Sequence, residues 1–479
     1  MLTGFHLNIK ELNIGKKTYI TNSPLTTEHL ESWGRFRAGS TDVARPELPS
    51  HLREILRTQA SRKILAFGRG LSYGDACINT ENVTVKFNYL DRAVEFNKAK
   101  GIFTCEAGIT IEEIIRASLP YGWFPPVTPG TRYPTLGGCF AANVHGKNHH
   151  NAGSFARHVR WIELMTASGD IVRCSARKNS QLFLATAGGM GLTGLIYRIS
   201  LKLKRVHSAY ISVENIRVRN LREMMNTLEA GDAEWEYSVS WLDCAASGEE
   251  AGRGDVILGR HAEPEQIPYR QRSQPFSVKL QQPVSVPLDP PVSLIGSLST
   301  RLFNAVYMRK RGSKSTRRQI VSYDTFLYPL DAVRNWNRLY GKQGFVQYQF
   351  VVPFDAGYSV TNRVLEICRQ SEHLPSLAVL KRLGDGDGLL SFPMPGWTLA
   401  IDIPVKRGLF KMLDELDRIV IDHGGRIYLA KDARMSPQAF RAMYPEFPQW
   451  LKIKRQVDPD DLFSSDMSRR LVMSMEDVS

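Results

Sequence analysis

The chain has 479 residues with 43% hydrophobic and 23% charged side chains, a composition typical of a folded globular protein that excludes a disordered or fibrous one. Its formal net charge of +14 favours anionic partners such as phosphates, acidic lipid head groups or nucleic acid. The length exceeds what one hydrophobic core usually organises, so we expect two domains, and no apolar run is long enough to predict a transmembrane helix.

The first 205 residues alternate short strands with helices. Residues 63–67, Lys-Ile-Leu-Ala-Phe, predict a short buried strand that runs directly into the glycine loop Gly68-Arg-Gly-Leu-Ser-Tyr-Gly-Asp75. Further on, Thr110 and Glu113 have the spacing of a capping box, which predicts a helix that continues through Leu119.

A second glycine-rich segment covers residues 127–154. It has glycines at 130, 137, 138, 146 and 153 and small residues at Ala141, Ala142 and Ser154. Glycines let backbone N–H groups approach a ligand closely, which is how uncharged loops hold a pyrophosphate. Two such loops can bind one diphosphate from opposite sides, so the sequence predicts a nucleotide-binding site.

The next elements exclude a dinucleotide site of the Rossmann type. Residues 161–167 and 171–174 predict a hairpin, and Asn179 predicts the start of a helix that runs to about Thr186. The glycines at 189, 191 and 194 match G-x-G-x-x-G, but they follow this helix and precede a predicted strand at 195–203. Because the Rossmann motif requires the strand first and the helix second, a nicotinamide site of that kind is not expected.

Residues 206–423 predict a second domain made of a large antiparallel sheet backed by helices. The strand-like and helical segments alternate along this part of the chain. The predicted strands begin at Tyr210, Tyr237, Ile320 (through Tyr323), Phe345 and Leu399, and the predicted helices are 332–340, 359–369 and 407–422, the last ending at Gly424-Gly425.

Clustered positive charge follows a segment of unusual composition. Residues 267–303 are rich in proline, serine and scattered large apolar residues, which predicts a mobile loop, and residues 308–318 are the densest basic cluster. No helix-turn-helix, zinc finger or RNP-like motif accompanies this charge, so we expect no nucleic acid partner. Apolar residues beside clustered Lys and Arg are typical of contact with an anionic membrane surface, and a merely solvated surface is the alternative.

The sequence predicts no cysteine-bound zinc, no metal site at its clustered histidines and no signal peptide. The six cysteines form no C-x-x-C pair and no zinc spacing, so we expect reduced, mostly buried thiols. No carboxylate or cysteine accompanies His145, His149 and His150, so we expect no metal there. The first residues lack the apolar core of a signal peptide, which predicts a cytoplasmic protein.

The motifs together resemble those of vanillyl-alcohol-oxidase-type FAD flavoenzymes, and within that group the chain is similar to the decaprenylphosphoryl-β-D-ribose 2′-oxidases. The resemblance spans most of the chain, with residues 245–320 unmatched. It is carried by both glycine loops, by Tyr328-Pro-Leu-Asp, Trp336-Asn-Arg-Leu-Tyr-Gly, Gly344-Phe-Val-Gln-Tyr-Gln-Phe, Ser391-Phe-Pro-Met-Pro-Gly-Trp397, Gly424-Gly-Arg-Ile-Tyr-Leu-Ala-Lys-Asp432, Asp458-Pro and Phe463-Ser-Ser-Asp-Met-Ser-Arg-Arg470.

The resemblance implies an α+β, two-domain PCMH-type FAD-binding fold with an antiparallel-sheet substrate domain. Residues 1–205 would form the FAD-binding domain, 206–423 the substrate-binding domain, and 424–479 would return to the FAD-binding domain. The implied reaction is oxidation of the 2′-hydroxyl of a polyprenyl-phosphoryl ribose, the first half of an epimerisation that makes the arabinose donor of the cell wall. The implied partner is a separate NAD(P)H-dependent ketoreductase.

The family also implies site residues. A lysine such as Lys431 can anchor a sugar phosphate or act as a base where burial lowers its pKa, although an exposed strand-end lysine is the alternative. Two amides on one strand face, Gln347 and Gln349, can bind sugar hydroxyls, and ordinary surface polarity is the alternative. Expected catalytic residues are Lys431, His145 and Tyr428, and expected substrate residues are Gln347, Gln349, Lys381, Tyr323 and Thr398. Trp241 and Tyr323 are the weaker candidates, as walls of the substrate pocket.

The expected cofactor residues come from the two glycine loops, the 188–194 loop and the returning segment. They are Gly68, Arg69, Gly70, Leu71, Ser72, Tyr73, Gly74, Pro129, Gly130, Thr131, Gly137, Gly138, Ala142, Asn143, His145, Gly146, Asn148, His149, Gly153, Ser154, Gly189, Gly194 and Tyr428. Some relatives bond the flavin covalently through a histidine in the first loop, where this chain has Leu71, so we expect non-covalent FAD.

One departure from the family's pattern bears on how the substrate is oriented and on inhibition through a thiol. The mycobacterial enzymes have an asparagine and a cysteine shortly after Pro-Gly-Trp, where this chain has Thr398 and Ala400. Two alternative functions remain: an aldonolactone or alditol oxidase of the same superfamily that acts on free sugars, and, in a different class, a flavin-binding scaffold without turnover.

Overall fold

The computed structural model describes residues 25–291, 293–310 and 316–474, and the part up to residue 205 is built around two small sheets. Four strands pair in the order β1-β2-β4-β3 and five in the antiparallel order β5-β6-β10-β8-β9. The elements are β1 (Thr26–Glu31), β2 (Ala38–Ala44), α1 (Pro49–Thr58), β3 (Ile64–Phe67), β4 (Val83–Lys86), β5 (Ala93–Asn97), β6 (Ile102–Glu106), α2 (Ile111–Ser118), β7 (Trp123–Phe124), α3 (Leu136–Ala141), α4 (His149–Ala152), β8 (Val159–Met165), β9 (Ile171–Cys174), α5 (Ser180–Thr186), β10 (Leu195–Lys202) and β11 (Lys204–Arg205).

The local predictions for this part hold, with one correction. At the start of α2 the Thr110 side chain accepts from the Glu113 N–H, and the Glu113 carboxylate accepts from the Thr110 N–H, as a capping box requires. Strands β8 and β9 form the predicted hairpin. Asn179 does precede α5, but it lies in the left-handed region and its side chain donates to the Arg173 carbonyl instead of capping the helix.

The remainder of the described chain contains an eight-stranded antiparallel sheet in the order β16-β12-β14-β13-β19-β20-β18-β21. Its elements are β12 (Tyr210–Val218), α6 (Leu221–Gly231), β13 (Tyr237–Leu242), β14 (Gly254–His261), β15 (Val284–Ser285), α7 (Ser297–Lys310), β16 (Thr316–Ser322), α8 (Tyr323–Leu327), β17 (Val333–Arg334), β18 (Phe345–Val352), α9 (Gly357–Gln370), β19 (Leu377–Leu383), β20 (Gly396–Pro404), α10 (Leu409–Asp422), β21 (Arg426–Ile427), α11 (Pro437–Met443), α12 (Phe447–Val457) and α13 (Asp466–Arg470).

Strand register decides which side chains share a face of the large sheet. Gln347 pairs with Asp402, Val351 pairs with Thr398, and Thr398 in turn pairs with Lys381, so their side chains lie on one face. The opposite face is covered by helices, as shown by Tyr348, whose hydroxyl donates to the Asp417 carboxylate on α10 at 3.1 Å. The polar row therefore faces away from the helical layer.

The end of the chain returns to the first part of the molecule. Phe463 bridges to Ile64 at the start of β3, and Arg470 joins the carboxylates of Asp75 and Asp432 at 2.8 Å each. One buried apolar cluster runs through both parts of the chain. The domain boundaries at 205 and 423 stay a prediction, because the buried apolar cluster is continuous and does not separate the chain into two cores.

Five segments differ from prediction. Tyr323 begins helix α8, because the Ser322 side chain accepts from the Thr325 N–H and caps it. Residues 332–340 are not one helix: Asn335 lies in the left-handed region (φ 55°) and separates β17 from a short 3-10 turn. Strands β14 and β19 were not predicted, and the predicted loop at 267–303 contains the start of α7.

Candidate functional site

The first glycine loop lies against the returning segment. The Tyr73 N–H donates to the Ala430 carbonyl at 3.0 Å, next to the candidate residues Tyr428 and Lys431. A side chain at Gly74 would place its Cβ 1.6 Å from the Asp432 carbonyl oxygen, so only glycine fits. The loop after β3 thus holds the segment that carries Lys431.

The two glycine loops lie side by side. A Cβ on Gly68 would lie 2.5 Å from the Thr135 hydroxyl oxygen, and the same side chain accepts from the Gly138 N–H at the start of α3. Gly138 and Gly130 are exposed, and a Cβ on Gly130 would meet nothing within 4 Å. Exposed backbone beside a second glycine loop is the surface that a dinucleotide phosphate requires, so these residues fit FAD.

Several predicted cofactor residues have surroundings already filled by protein. Asn143 donates to the Ser391 hydroxyl and accepts from the Ala156 N–H, and Asn148 donates to the Pro126 carbonyl. A Cβ on Gly189 or Gly194 would lie within 2.6 Å of a backbone oxygen. These contacts give the four residues a role in packing the loops, and direct contact with a cofactor stays a prediction.

His145 lies at the centre of a polar network. The Gln349 amide donates to His145 Nε2 at 3.0 Å and to the Thr398 hydroxyl at 3.2 Å. Burial, with the positive charges of Lys381, His149 and Lys431, lowers the pKa of His145 well below its usual value. A neutral ring that accepts at Nε2 carries its proton at Nδ1, and this buried Nδ1 has no partner among the described residues. It is therefore free to donate to a ligand.

His149 has a structural role in the loop. Its Nδ1 accepts from the Gly384 N–H at 3.0 Å, so the proton of the neutral ring is on Nε2, which contacts the Ser154 hydroxyl at 3.0 Å. Burial lowers its pKa to about 3. Within residues 25–291, 293–310 and 316–474, no group of three His, Cys, Asp or Glu side chains is arranged to hold a metal.

Three partly buried lysines converge on this network. Burial lowers the pKa of Lys147 to about 7 and that of Lys381 to about 8, and the charge of Lys381 further lowers the pKa of Lys147, Lys431 and His145. In the described part of the chain no carboxylate lies within ion-pair distance of these lysines, although Lys147 donates to the Phe326 carbonyl. Such a cluster of unpaired cations favours an anionic ligand.

Lys431 and Tyr428 are brought together by a turn. Strand β21 ends at Ile427, and the Lys431 N–H donates to the Tyr428 carbonyl at 2.9 Å, so alternation along a strand does not separate the two side chains. The Lys431 ammonium lies 3.5 Å from the centre of the Tyr73 ring. Burial lowers its pKa to about 7, opposed by the negative charge of Asp402.

Asp402 is a site residue that the sequence did not reveal. Its Oδ1 accepts from the Gln347 amide at 2.6 Å, and its Oδ2 is buried without a partner in the described structure. Burial raises its pKa to about 6, opposed by the Gln347 hydrogen bond and the charge of Lys431. Its position four residues after Thr398, on the same strand face, is the signal that would have found it.

Tyr428 is held by neighbours. Its hydroxyl donates to the Ala142 carbonyl at 2.8 Å, and its ring stacks on Phe392 at 4.8 Å between centroids. Burial raises its pKa well above the usual value, so the hydroxyl keeps its proton. This geometry supports a positioning role for Tyr428, while Phe392 is a second residue that sequence reasoning missed.

Of the two wall candidates, Trp241 has the more suitable place. Trp241 pairs with Val379 on β19, two residues before Lys381 and on the same face. Tyr323 instead packs its ring against Phe124 and Tyr328, and no contact in the described structure brings it to the lysines. Its assignment to the substrate pocket stays a prediction without structural support.

We expect the cofactor to be non-covalent, because the partly buried Leu71 offers no atom for attachment. Purified protein should be yellow, and acid or heat denaturation should release all the FAD into the supernatant. The measurement is the flavin absorbance of the soluble and precipitated fractions. Flavin that stays with the precipitate would contradict this expectation.

Comparisons with known proteins match both halves of the site. A family model described as an FAD binding domain matches residues 41–175, which include both glycine loops, and one described as D-arabinono-1,4-lactone oxidase matches residues 340–471, which include Lys381 and Lys431. Decaprenylphosphoryl-beta-D-ribose oxidase of Mycolicibacterium smegmatis is 36% identical over 94% of this chain and 99% of its own. Mouse L-gulonolactone oxidase is 22% identical over 91% of this chain and 96% of its own.

Proposed function

The chain belongs to the decaprenylphosphoryl-β-D-ribose oxidase family of FAD-dependent oxidoreductases, and from this premise we propose that it oxidises the 2′-hydroxyl of a polyprenyl-phosphoryl ribose, or a related anionic pentose, to the 2′-keto sugar. The observation that carries the substrate class is the cluster of Lys147, Lys381 and Lys431. A phosphate on the bound sugar stabilises the charged forms of Lys147 and Lys381, which have no carboxylate partner in the described structure.

The sheet face supplies the groups that orient the sugar. Gln349 and Thr398 present an amide and a hydroxyl beside the free Nδ1–H of His145, and these suit ribose hydroxyls. Lys381 lies next to Thr398 in the strand pairing, where it suits the phosphate on C1′. Because the hydroxyls and the phosphate of the sugar are both bound, the C2′–H bond is held in a single orientation.

Oxidation of an alcohol requires an acceptor for the hydroxyl proton as well as for the hydrogen on carbon. When bound, FAD supplies the two-electron acceptor for the C2′ hydrogen. Lys431, with a pKa of about 7, is neutral in part at neutral pH and takes the proton from the 2′-oxygen. Asp402 stabilises the resulting ammonium through its negative charge.

Anaerobic flavin reduction tests the substrate class. Ribose phosphates, lipid-linked ribose and free alditols are mixed in turn with the oxidised protein, and bleaching of the flavin absorbance is followed. The proposal expects bleaching by the phosphorylated riboses and far slower bleaching by the uncharged sugars. Faster bleaching by free alditols or aldonolactones would establish the alternative, an oxidase of free sugars, which the lactone-oxidase match favours. If no sugar bleached the flavin absorbance, the result would favour the alternative of a flavin-binding scaffold without turnover.

The reaction is expected to stop at the ketone. Inversion at C2′ needs hydrogen delivered to the face opposite the one that lost it, and the glycines at 189–194 lie in helix-to-strand order, unsuited to a nicotinamide. With this protein, substrate and an electron acceptor alone, product analysis should find a 2′-keto sugar accumulating. We propose that a separate NAD(P)H-dependent ketoreductase completes the epimerisation. Formation of the arabino product without added reductase would overturn that partner assignment.

A lipid-linked substrate also bears on location. A polyprenyl chain is held in a bilayer, and none of the helices within the described residues is long and apolar enough to cross one. We propose a cytoplasmic protein that reaches its substrate as a peripheral protein at the inner face of the membrane. Support comes from the net charge of +14, which favours a surface of acidic lipids.

A further inference from the structure

In helix α7 two polar side chains are buried and three apolar side chains are exposed to solvent. Thr300 and Asn304 are 5% and 4% exposed, whereas Leu298, Leu302 and Val306 are 82%, 65% and 44% exposed. Residues four apart lie on one face of a helix, so the two sets mark opposite faces. A surface helix normally has the reverse arrangement. Exposed leucines in a row cost free energy in water, which indicates that another surface covers them.

The rest of the protein holds this orientation. The buried Asn304 amide donates to the Asp243 carboxylate at 2.6 Å, and Asp243 immediately follows strand β13. Just before the helix, the Leu294 N–H donates to the Leu339 carbonyl at 2.9 Å. Rotation of α7 to bury its leucines would break the hydrogen bond to a buried carboxylate, so the apolar face stays outward.

The exposed charges on α7 and along the chain on either side of it are positive, with one exception. Arg301 and Arg309 are exposed on α7, and Lys279 and Arg317 are exposed before and after it. From residue 279 to residue 318 the sequence contains a single acidic residue, Asp289. That carboxylate is already paired with Arg35 at 2.9 Å and Arg338 at 3.4 Å. The segment that carries α7 therefore complements a negatively charged surface.

We propose that the outward face of α7, defined by Leu298, Leu302 and Val306, inserts into the head-group region of an anionic lipid bilayer. Leucines and basic residues on one exposed helix are the combination that binds in the plane of such an interface. Asn304 on the buried face of α7 contacts Asp243 at the end of β13, the strand that carries Trp241 two residues earlier. The proposed bilayer contact is therefore close to the end of β13 that carries Trp241, a candidate residue of the substrate site. That this proximity serves a lipid-linked substrate rests on the proposed function.

Vesicle co-sedimentation of the FAD-loaded protein tests the contact. The protein should sediment with phosphatidylglycerol vesicles and much less with phosphatidylcholine vesicles, and added salt should weaken the binding. The double variant Leu298→Ser with Leu302→Ser should bind phosphatidylglycerol vesicles roughly tenfold less, because the apolar area that inserts is lost. The matched control is Leu184→Ser, which changes a leucine that is 41% exposed on α5 and should leave the binding unchanged.

Two further readouts keep the outcomes distinct. Thermal unfolding should be the same for the double variant and the parent, since both leucines are exposed, and flavin bleaching by a water-soluble ribose phosphate should also be the same. Equal vesicle binding by the double variant and the parent would overturn the proposal. The proposal would also be overturned if the parent protein were a dimer, the double variant were a monomer and vesicle binding were the same for both. The outward face of α7 would then contact a second copy of the chain. Vesicle binding without bleaching by any sugar would contradict the proposed function and leave the lipid contact standing.

Discussion

Lys431→Ala is expected to retain FAD and to lose most of the flavin reduction by substrate. The side chain lies in the site beside Tyr73, and its pKa of about 7 suits a proton acceptor at neutral pH. Loss of a group that acts in the transition state costs about 2–4 kcal/mol, which is roughly a 30- to 900-fold slower reduction. Anaerobic stopped-flow bleaching measures the rate, and the flavin-to-protein absorbance ratio measures retention.

The pH profile separates a base from a simple anchor. A proton acceptor must be neutral, so the reduction rate should fall as pH falls through about 7 in the parent protein. The negative charge of Asp402 raises the pKa of Lys431, so Asp402→Asn should move this acid limb to lower pH. A merely structural role for Asp402 would lower the rate without moving the limb.

The matched control for charge removal is Lys452→Ala, which changes an exposed lysine on α12. This variant should reduce its flavin at the parent rate. Near-normal reduction by Lys431→Ala would contradict the assignment and direct attention to His145, whose Nδ1 is free, ahead of Tyr428, whose hydroxyl is already bonded to Ala142.

Asp458→Ala is expected to destabilise the fold by about 3–5 kcal/mol, because it leaves a buried charge with fewer partners. Asp458 is fully buried and accepts from the Lys454 ammonium at 2.5 Å and from the N–H groups of Leu462 and Phe463. Lys454 is itself 2% exposed and would retain Asp461 at 2.8 Å. Thermal or urea unfolding of the FAD-loaded protein measures the loss.

Asp460→Ala provides the comparison for this prediction, since it removes an exposed carboxylate two residues away. Its unfolding midpoint should stay close to that of the parent, because exposed charges contribute little. Equal destabilisation by the two substitutions would mean that the buried hydrogen bonds of Asp458 do not stabilise the end of the chain. The Asp458-Pro motif would then need another explanation.

Local hydrogen bonding explains which elements were predictable. The capping box at Thr110 and the glycine end of α10 depend on groups within six residues of one another. The prediction of one helix over 332–340 was wrong, because the left-handed backbone of Asn335 interrupts it. Strand β19 was missed because Lys381 and Arg382 break the apolar pattern of a strand in the middle of a sheet.

The sequence by itself determined the family, the two glycine loops and the order of elements that excludes a Rossmann site, because these depend on residue type and spacing along the chain. Only the tertiary structure decided which charges meet. Strand pairing places Asp402 beside Gln347 and Lys381 beside Thr398, and the contacts of the chain's end bring Lys431 to Tyr73. The outward face of α7 was not predicted either, because the sequence indicated a loop over 267–303 and only the Asn304 contact with Asp243 decides which face of the helix is buried.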